Sequence, residues 1–225
     1  MQSVRIVAAT NPKISDPITG YIISIDEFVA YVARVSNPSN QMNSATAPKL
    51  LKYLAKHKHW SPFEMVDIVM EIETTRDIAR QILRHRSFSY QEFSQRYADP
   101  TKDLGFATRE ARLQDQKNRQ NSIETENLNL QLKWHEMQTE VALGCEKVYK
   151  WAIDNGIAKE QARAVLPEGL TQSRMYMKGS LRSWIHYCQV RMDPSTQKEH
   201  REIAEMAWNE IVKLFPSLEG ILSEN

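Results

Sequence analysis

Glycine is scarce in this chain. Only 7 occur in 225 residues, and neither GxGxxG nor GxxxxGK[ST] is present, which removes both familiar backbone cradles for nucleotide phosphates. If the chain binds a nucleotide, side chains must carry much of the recognition. Cysteine is scarcer still: Cys145 and Cys188 stand far apart, outside any CxxC or Cys/His pairing. No disulfide framework is encoded, and a reducing, cytoplasmic compartment is expected. Net charge is nearly absent as well. The 29 Lys and Arg against 28 Asp and Glu leave +1, too little for a global field that gathers nucleic acid or an anionic membrane, so any anion site must be local. No run approaches the roughly 18 apolar residues that span a bilayer, and MQSVRIVAATNPK at the N-terminus lacks the apolar stretch of a signal peptide. Neither nucleic acid nor membrane is an expected partner.

What is there is an ordinary globular composition, 41% hydrophobic and 25% charged, without internal repeat or low-complexity linker. It points to one mixed α+β domain over residues 1–225. VRIVAA at 4–9 reads as a short strand. SIDEFVAYVARVS places Ile25, Phe28, Val29, Val32 and Val35 near one helical face, with Ser24 or Asp26 to start the helix. KLLKYLAKH repeats Leu50, Leu51, Leu54 and Ala55 as a second helix, ended by HKHWSP. In MVDIVMEIET the period drops to two, Val66, Ile68, Met70 and Ile72 alternating with Asp67, Val69, Glu71 and Glu73, the mark of a half-buried strand. TTRDIARQILRHR then reads as a helix begun at Thr74 or Thr75 and closed by Arg84 to Arg86.

Residues 98–122 are polar and without period, which predicts an exposed loop, either a lid or an insertion of no function. A long helix is expected from about 123 to 155, with Leu128, Leu132, His135, Val141, Leu143 and Val148 on its apolar side and Gly156 as its C-terminal glycine. Shorter helices are expected before VLPEG, over GSLRSWIHYCQVR, and from about Thr196 to Phe215.

The chemistry concentrates in ILRHRSFSYQEFSQRYAD, residues 82–99. Arginines closing a helix have a bland explanation, since they favour the negative end of its dipole. Yet Ser87, Ser89, Tyr90, Gln91, Glu92, Ser94, Gln95 and Arg96 follow, with few apolar residues to account for them by packing. Guanidinium forks beside hydroxyls suit an anionic small molecule rich in hydrogen-bonding groups.

The same segment resembles the signature of the flavin-dependent thymidylate synthases: Arg84, His85 and Arg86, then seven residues, then Ser94, within a wider match that takes in Gln81, Ser89, Tyr90, Glu92, Arg96 and Tyr97. ARVS at 33–36, HWSPFE at 59–64, ARAVLP at 162–167 and SLRSWIHYCQVR at 180–191 agree in order. The resemblance implies reductive methylation of dUMP to dTMP, with methylenetetrahydrofolate as carbon donor, NADPH as reductant and bound FAD as carrier, a hydride from reduced FAD completing the product. It implies a homotetramer with active sites shared between subunits, and helices packed on a curved, mainly antiparallel sheet.

Carried over by position, the resemblance assigns FAD to Ser36, Ser61, Arg84, His85, Arg86, Glu92, Ser180, Arg182 and His186, with Ser180 standing where the family commonly has asparagine. It assigns dUMP to Gln81, Arg84, Glu92, Ser94, Gln95, Arg96, Arg163 and Arg191. Arg191 is the expected catalytic group, stabilising an ionised uracil edge, because an arginine cannot itself accept a proton. His59 falls near flavin and folate. HKH holds too few ligands for a metal, and none is expected. Cys145 and Cys188 read as core cysteines without a neighbouring base, so no enzyme thiolate is expected to attack uracil. Ser94 reads as a binding group. The rivals are a non-catalytic nucleotide- or nucleic-acid-binding module that uses RHRSFSY and Tyr97, and a flavoprotein of the same fold without synthase activity.

Overall fold

A computed structural model describes residues 2–222. In chain order the elements are β1 (Ser3–Ala9), α1 (Ile25–Ala33), α2 (Ala47–Lys56), β2 (Asp67–Thr75), α3 (Arg76–Ile82), β3 (Ser89–Glu92), α4 (Pro100–Asp103), β4 (Arg112–Gln114), β5 (Ser122–Glu124), α5 (Leu128–Asp154), α6 (Lys159–Ala162), β6 (Gln172–Ser180), α7 (Leu181–Arg191) and α8 (Lys198–Leu214).

The two-residue period at 66–73 is strand β2, at the heart of an antiparallel sheet ordered β1-β2-β6-β3. Its register sets Met70 beside Met177 and Ile72 beside Met175. These four and Ile68 are fully buried, each contributing about 1.5–3 kcal/mol of apolar transfer free energy. The opposite face is charged, with Arg5 2.7 Å from Glu71 and Lys178 2.7 Å from Asp67. Helices cover the apolar face. Trp184 of α7 is buried and donates from Nε1 to the Ile68 carbonyl at 3.2 Å, while α8 adds Ile203, Ala204, Ala207 and Ile211. A register shift between Ile6 and Ala8 marks a bulge in β1, which bends the sheet at that edge. The fold is the expected α+β arrangement of helices on a curved antiparallel sheet.

Ser24 starts α1 with a reciprocal capping box to Glu27. At the end of α5, Gly156 has φ 79, and the bonds from Gly156 N to the Ile153 carbonyl and from Ile157 N to the Ala152 carbonyl complete a Schellman motif. The same motif ends α2, with Lys58 at φ 57 in the position that favours glycine.

Several expectations change. Helix α3 ends at Ile82, so Arg84 to Arg86 lie in the turn beyond it rather than in its last turn. Gly179 and Ser180 close strand β6 instead of opening a helix, and β3 and β6 were not anticipated. The 98–122 stretch is not a featureless loop. It holds α4 and β4, whose hairpin with β5 runs on to Glu124, and it is fastened to the body where Arg109 meets Asp77 at 2.6 Å and Lys198 meets Glu110 at 2.7 Å. On α5 the residues expected inside are outside: Leu128 is 73% and Leu143 61% exposed, whereas Gln138, Ala142, Tyr149 and Ala152 face the chain. Cys145, on that helix, is only partly buried and is not a core cysteine, whereas Cys188 is buried.

A Cβ on Gly179 would lie 2.4 Å from the Phe88 ring. Gly179→Ala is therefore expected to destabilise by about 1–3 kcal/mol, and Lys58→Gly to stabilise by up to about 1 kcal/mol, both read by denaturant unfolding.

Candidate active site

Where α3 stops at Ile82, the last carbonyls of the helix need donors from elsewhere. The His85 amide reaches the Ile82 carbonyl at 3.0 Å, and Tyr90 adds a donor from outside the turn: its hydroxyl lies 2.9 Å from the Ile82 carbonyl and 2.8 Å from that of His85. Burial keeps this phenol protonated and pushes its pKa up to about 12. Because Tyr90 is held in β3 opposite Met177 of β6, the turn carrying Arg84, His85 and Arg86 is tied to the sheet. Phe88 anchors it from the other side, its ring 4.9 Å from that of Trp184.

Arg84 and Arg86 emerge exposed from this turn, and among the described residues no carboxylate pairs with them. His85 points inward. Its Nε2 accepts from Nε of Arg191 at 2.8 Å. Burial, then the charges of Arg191, His186 and Arg84, pull His85 down to about 4, so at neutral pH the ring is an acceptor rather than a competing cation. Arg191 ends α7, where the helix dipole favours its charge.

Behind this pair lies a polar network that sequence reasoning missed. His200 is fully buried, with Nε2 3.1 Å from the Tyr187 hydroxyl and Nδ1 3.3 Å from Oε1 of Gln81. Gln81 donates in turn to Gln197 at 2.8 Å. Burial, then the charges of Arg191 and His85, pull His200 down to about 3. A signal was available: His200 lies in helical register with Ile203, Ala204, Ala207 and Ile211, a polar ring on an apolar stripe.

Three motif segments meet beside the turn. Trp60, Ser87, Arg182, Ser183 and His186 line a cavity of about 250 Å³, bringing together HWSP, RHRS and SLRSWIH. Arg182 is steadied by Glu64 at 2.6 Å. Ser180 lies at the start of α7 and accepts from the Ser183 amide at 3.2 Å, so its hydroxyl serves as the helix cap. His59 and Ser61 flank Trp60 on the exposed turn after α2, and Ser36 is exposed after α1.

The remaining predicted residues gather at the other end of β3, which at four residues separates the two groups by ~10 Å. Glu92 accepts from Ser173 at 2.7 Å and lies 3.4 Å from Arg76. Ser94 accepts from the Arg96 amide at 3.4 Å, and Arg96 pairs with Glu160 at 3.3 Å, on the helix that leads to Arg163. Gln95 is buried, and its amide nitrogen has no partner. The larger cavity of about 570 Å³, between Thr74, Arg109, Lys198 and Glu202, contains none of the predicted residues. Among the described residues no cluster of three or more His, Cys, Asp or Glu is placed to hold a metal, and no helix is long and apolar enough to cross a membrane.

Residues 20–217 match the family described as "Thymidylate synthase complementing protein". A flavin-dependent thymidylate synthase of Synechocystis sp. is 48% identical over 219 residues, 97% of this chain and 98% of that protein. The chain belongs to the flavin-dependent thymidylate synthase family. A relative in Paramecium bursaria Chlorella virus 1, named "Probable flavin-dependent thymidylate synthase", is 43% identical over 96% of both chains. The same fold is found in a UMP/dUMP methylase from Streptomyces cacaoi solved with 5-Br dUMP, at TM-score 0.78 and 23% identity, covering 100% of this chain and 95% of that one. As a member of the flavin-dependent thymidylate synthases the chain is a methyltransferase enzyme. Its residues fit a flavin: Trp60 offers an aromatic wall, Ser87, Ser183, Arg182 and His186 offer donors, and Arg84 and Arg86 are cations that no carboxylate pairs with among the described residues.

Two histidines kept neutral by burial make stability depend on pH. Their pKa values are about 4 and about 3 in the folded protein against about 6.5 unfolded, so between these limits the unfolded chain binds more protons. Stability from this pair is complete above about pH 6.5 and falls as pH drops toward 4. Near pH 5 calorimetry is expected to show uptake of about two extra protons on unfolding from this pair, reduced by about one in His200→Leu. An uptake unchanged by that substitution would contradict the assignment.

Proposed function

We propose that this enzyme methylates dUMP to dTMP in the cytoplasm, with methylenetetrahydrofolate supplying the carbon, NADPH the electrons and bound FAD the link between them. The observation that carries the reading is the Arg191–His85 pair: a permanent cation held by a neutral imidazole, beside a cavity suited to a flavin. With Nε committed to His85, the terminal nitrogens of Arg191 remain to stabilise negative charge on an ionised uracil edge. Gln81, at the end of α3, and Arg84, in the turn beyond it, would both serve the nucleotide. At the other end of β3, Ser94, Arg96, Arg163 and the unpartnered amide of buried Gln95 form a donor set for phosphate. Glu92 orders that end by holding Ser173 and Arg76.

FAD would be held by Arg84, His85, Arg86, Arg182 and His186, with Ser36, Ser61, Ser180 and His59 completing that set, while Glu92, at the other end of β3, would meet the FAD of another site; when bound, FAD supplies hydride chemistry that no side chain can. Cys188 supports a route without an enzyme thiolate. It is fully buried, burial pushes its thiol well up, and its Sγ faces the Ala204 carbonyl at 3.6 Å.

The two donor sets on opposite ends of β3 favour a homotetramer with shared sites, in which each end serves a different site. Helix α5 offers a surface for it. Leu130, Trp134, Met137, Val141, Val148 and Trp151 are all exposed, and with Gly144 they recur at alternating spacings of four and three along a helix of 27 residues, the seam by which helices pair.

The purified protein is expected to be yellow, with a flavin spectrum that dUMP perturbs. Arg191→Ala should lower kcat/KM by about 10²–10³, while Ser94→Ala weakens dUMP about tenfold and leaves measurable turnover. A colourless protein that takes up neither FAD nor dUMP would overturn the reading. Light scattering is expected to give a tetramer, and Met137→Asp with Val141→Asp a smaller species.

A further inference from the structure

A carboxylate can only accept hydrogen bonds. Glu199, nearly buried at the start of α8, receives Nη2 of Arg112 from the β4 strand on one oxygen and Nε2 of Gln197 at 2.9 Å on the other. That contact decides every bond beyond it. If Gln197 turns its amide nitrogen to Glu199, its carbonyl must face Gln81, which donates to it at 2.8 Å. Gln81 then presents its own carbonyl to Nδ1 of His200 at 3.3 Å, so that nitrogen must carry the proton. Nε2 is left as an acceptor and takes the proton of the Tyr187 hydroxyl at 3.1 Å. Each bond has one allowed direction, fixed from the ion pair outward. Burial agrees with both ends: it keeps the Tyr187 phenol protonated and the His200 ring uncharged.

We propose that the Arg112–Glu199 ion pair sets the polarity of this hydrogen-bond chain and so holds the Gln81 amide one way round, with Glu199 and His200 as positioning residues for substrate recognition. Gln81 spends one N–H and one carbonyl lone pair inside the network. It keeps one of each for a ligand, in an order that cannot reverse while Glu199 remains acceptor-only. A flipped amide would set donor against donor at the nucleotide. The segment at 98–122 thereby gains a task, because Arg112 comes from its hairpin. The proposal rests on the reading that Gln81 lies beside dUMP.

The test joins a spectroscopic and a binding readout on the FAD-loaded protein. With histidines labelled in ¹⁵N and the His200 signals assigned by their loss in His200→Leu, the unmodified enzyme is expected to show His200 as the Nδ1–H tautomer. An Nε2–H tautomer or an imidazolium at neutral pH overturns the proposal without any variant having to fold. Glu199→Gln, which can donate as well as accept, is expected to give mixed His200 tautomers and to weaken dUMP about tenfold in calorimetry, raising KM while kcat stays within about threefold. Gln81→Ala separates the two layers. If it leaves dUMP binding intact, the placement of Gln81 beside the nucleotide fails and takes the positioning role with it. If it weakens binding but Glu199→Gln does not, the positioning role alone is overturned.

Discussion

The hydrogen bond from Tyr90 back to the end of α3 is the contact on which the site depends. The Ile82 carbonyl already accepts from the His85 amide at 3.0 Å, and the Tyr90 hydroxyl, on a strand eight residues on, adds a second donor that ties this end of the helix to the sheet. The bond fixes the turn between them, so Arg84 and Arg86 point outward while His85 points in. It also fixes the path of the chain beyond Tyr90. Since that residue is locked in register with β6, the rest of the motif must leave from the far end of β3, and one continuous signature becomes two donor sets on one rigid strand.

The inward half works because its histidines stay neutral. A protonated His85 would repel Arg191 and lose the lone pair that holds it; burial and the surrounding arginines prevent this. His200 repeats the device one layer deeper, against Tyr187 and Gln81. Polar groups in a core are costly unless they are satisfied, and here Tyr187, His200, Gln197 and Glu199 all find partners in a chain that runs in one direction to an ion pair, while Nη1 of Arg112 is left without one. The outward half is less complete. The buried amide of Gln95 lacks an acceptor.

Much of this was legible in the chain, though by different routes. The two-residue period of β2, the Ser24 cap and Gly156 are local signals with local causes, and they predict their elements well. The grouping of Arg182 and His186 with Ser61 and with Arg84 to Arg86 came from resemblance to a family, since three distant segments carry no periodic sign that they meet. Strand β6 was hidden because Gly179 and Ser180 also suit a helix start, and Ser180 does cap α7 while ending the strand. Helix α5 shows the limit of periodicity: the apolar residues that mark it as a helix stand exposed, and Gln138, Ala142, Tyr149 and Ala152 face the chain instead. The hairpin begun within 98–122 escaped because ion pairs and glutamine bonds to backbone hold it, such as Gln138 to the Arg109 carbonyl at 2.8 Å, and these leave no apolar pattern.

The central claim is that the two ends of the motif serve different active sites in one assembly. Subunit complementation tests it most directly. Chains carrying Arg191→Ala and chains carrying Arg163→Ala, each inactive alone, are unfolded together and reassembled. If each site draws Arg191 from one subunit and Arg163 from another, random mixing regenerates intact sites, and about a quarter of the unmodified activity should return. If both arginines of a site come from the same chain, every site carries one substitution or the other, and the mixture stays as inactive as its parts.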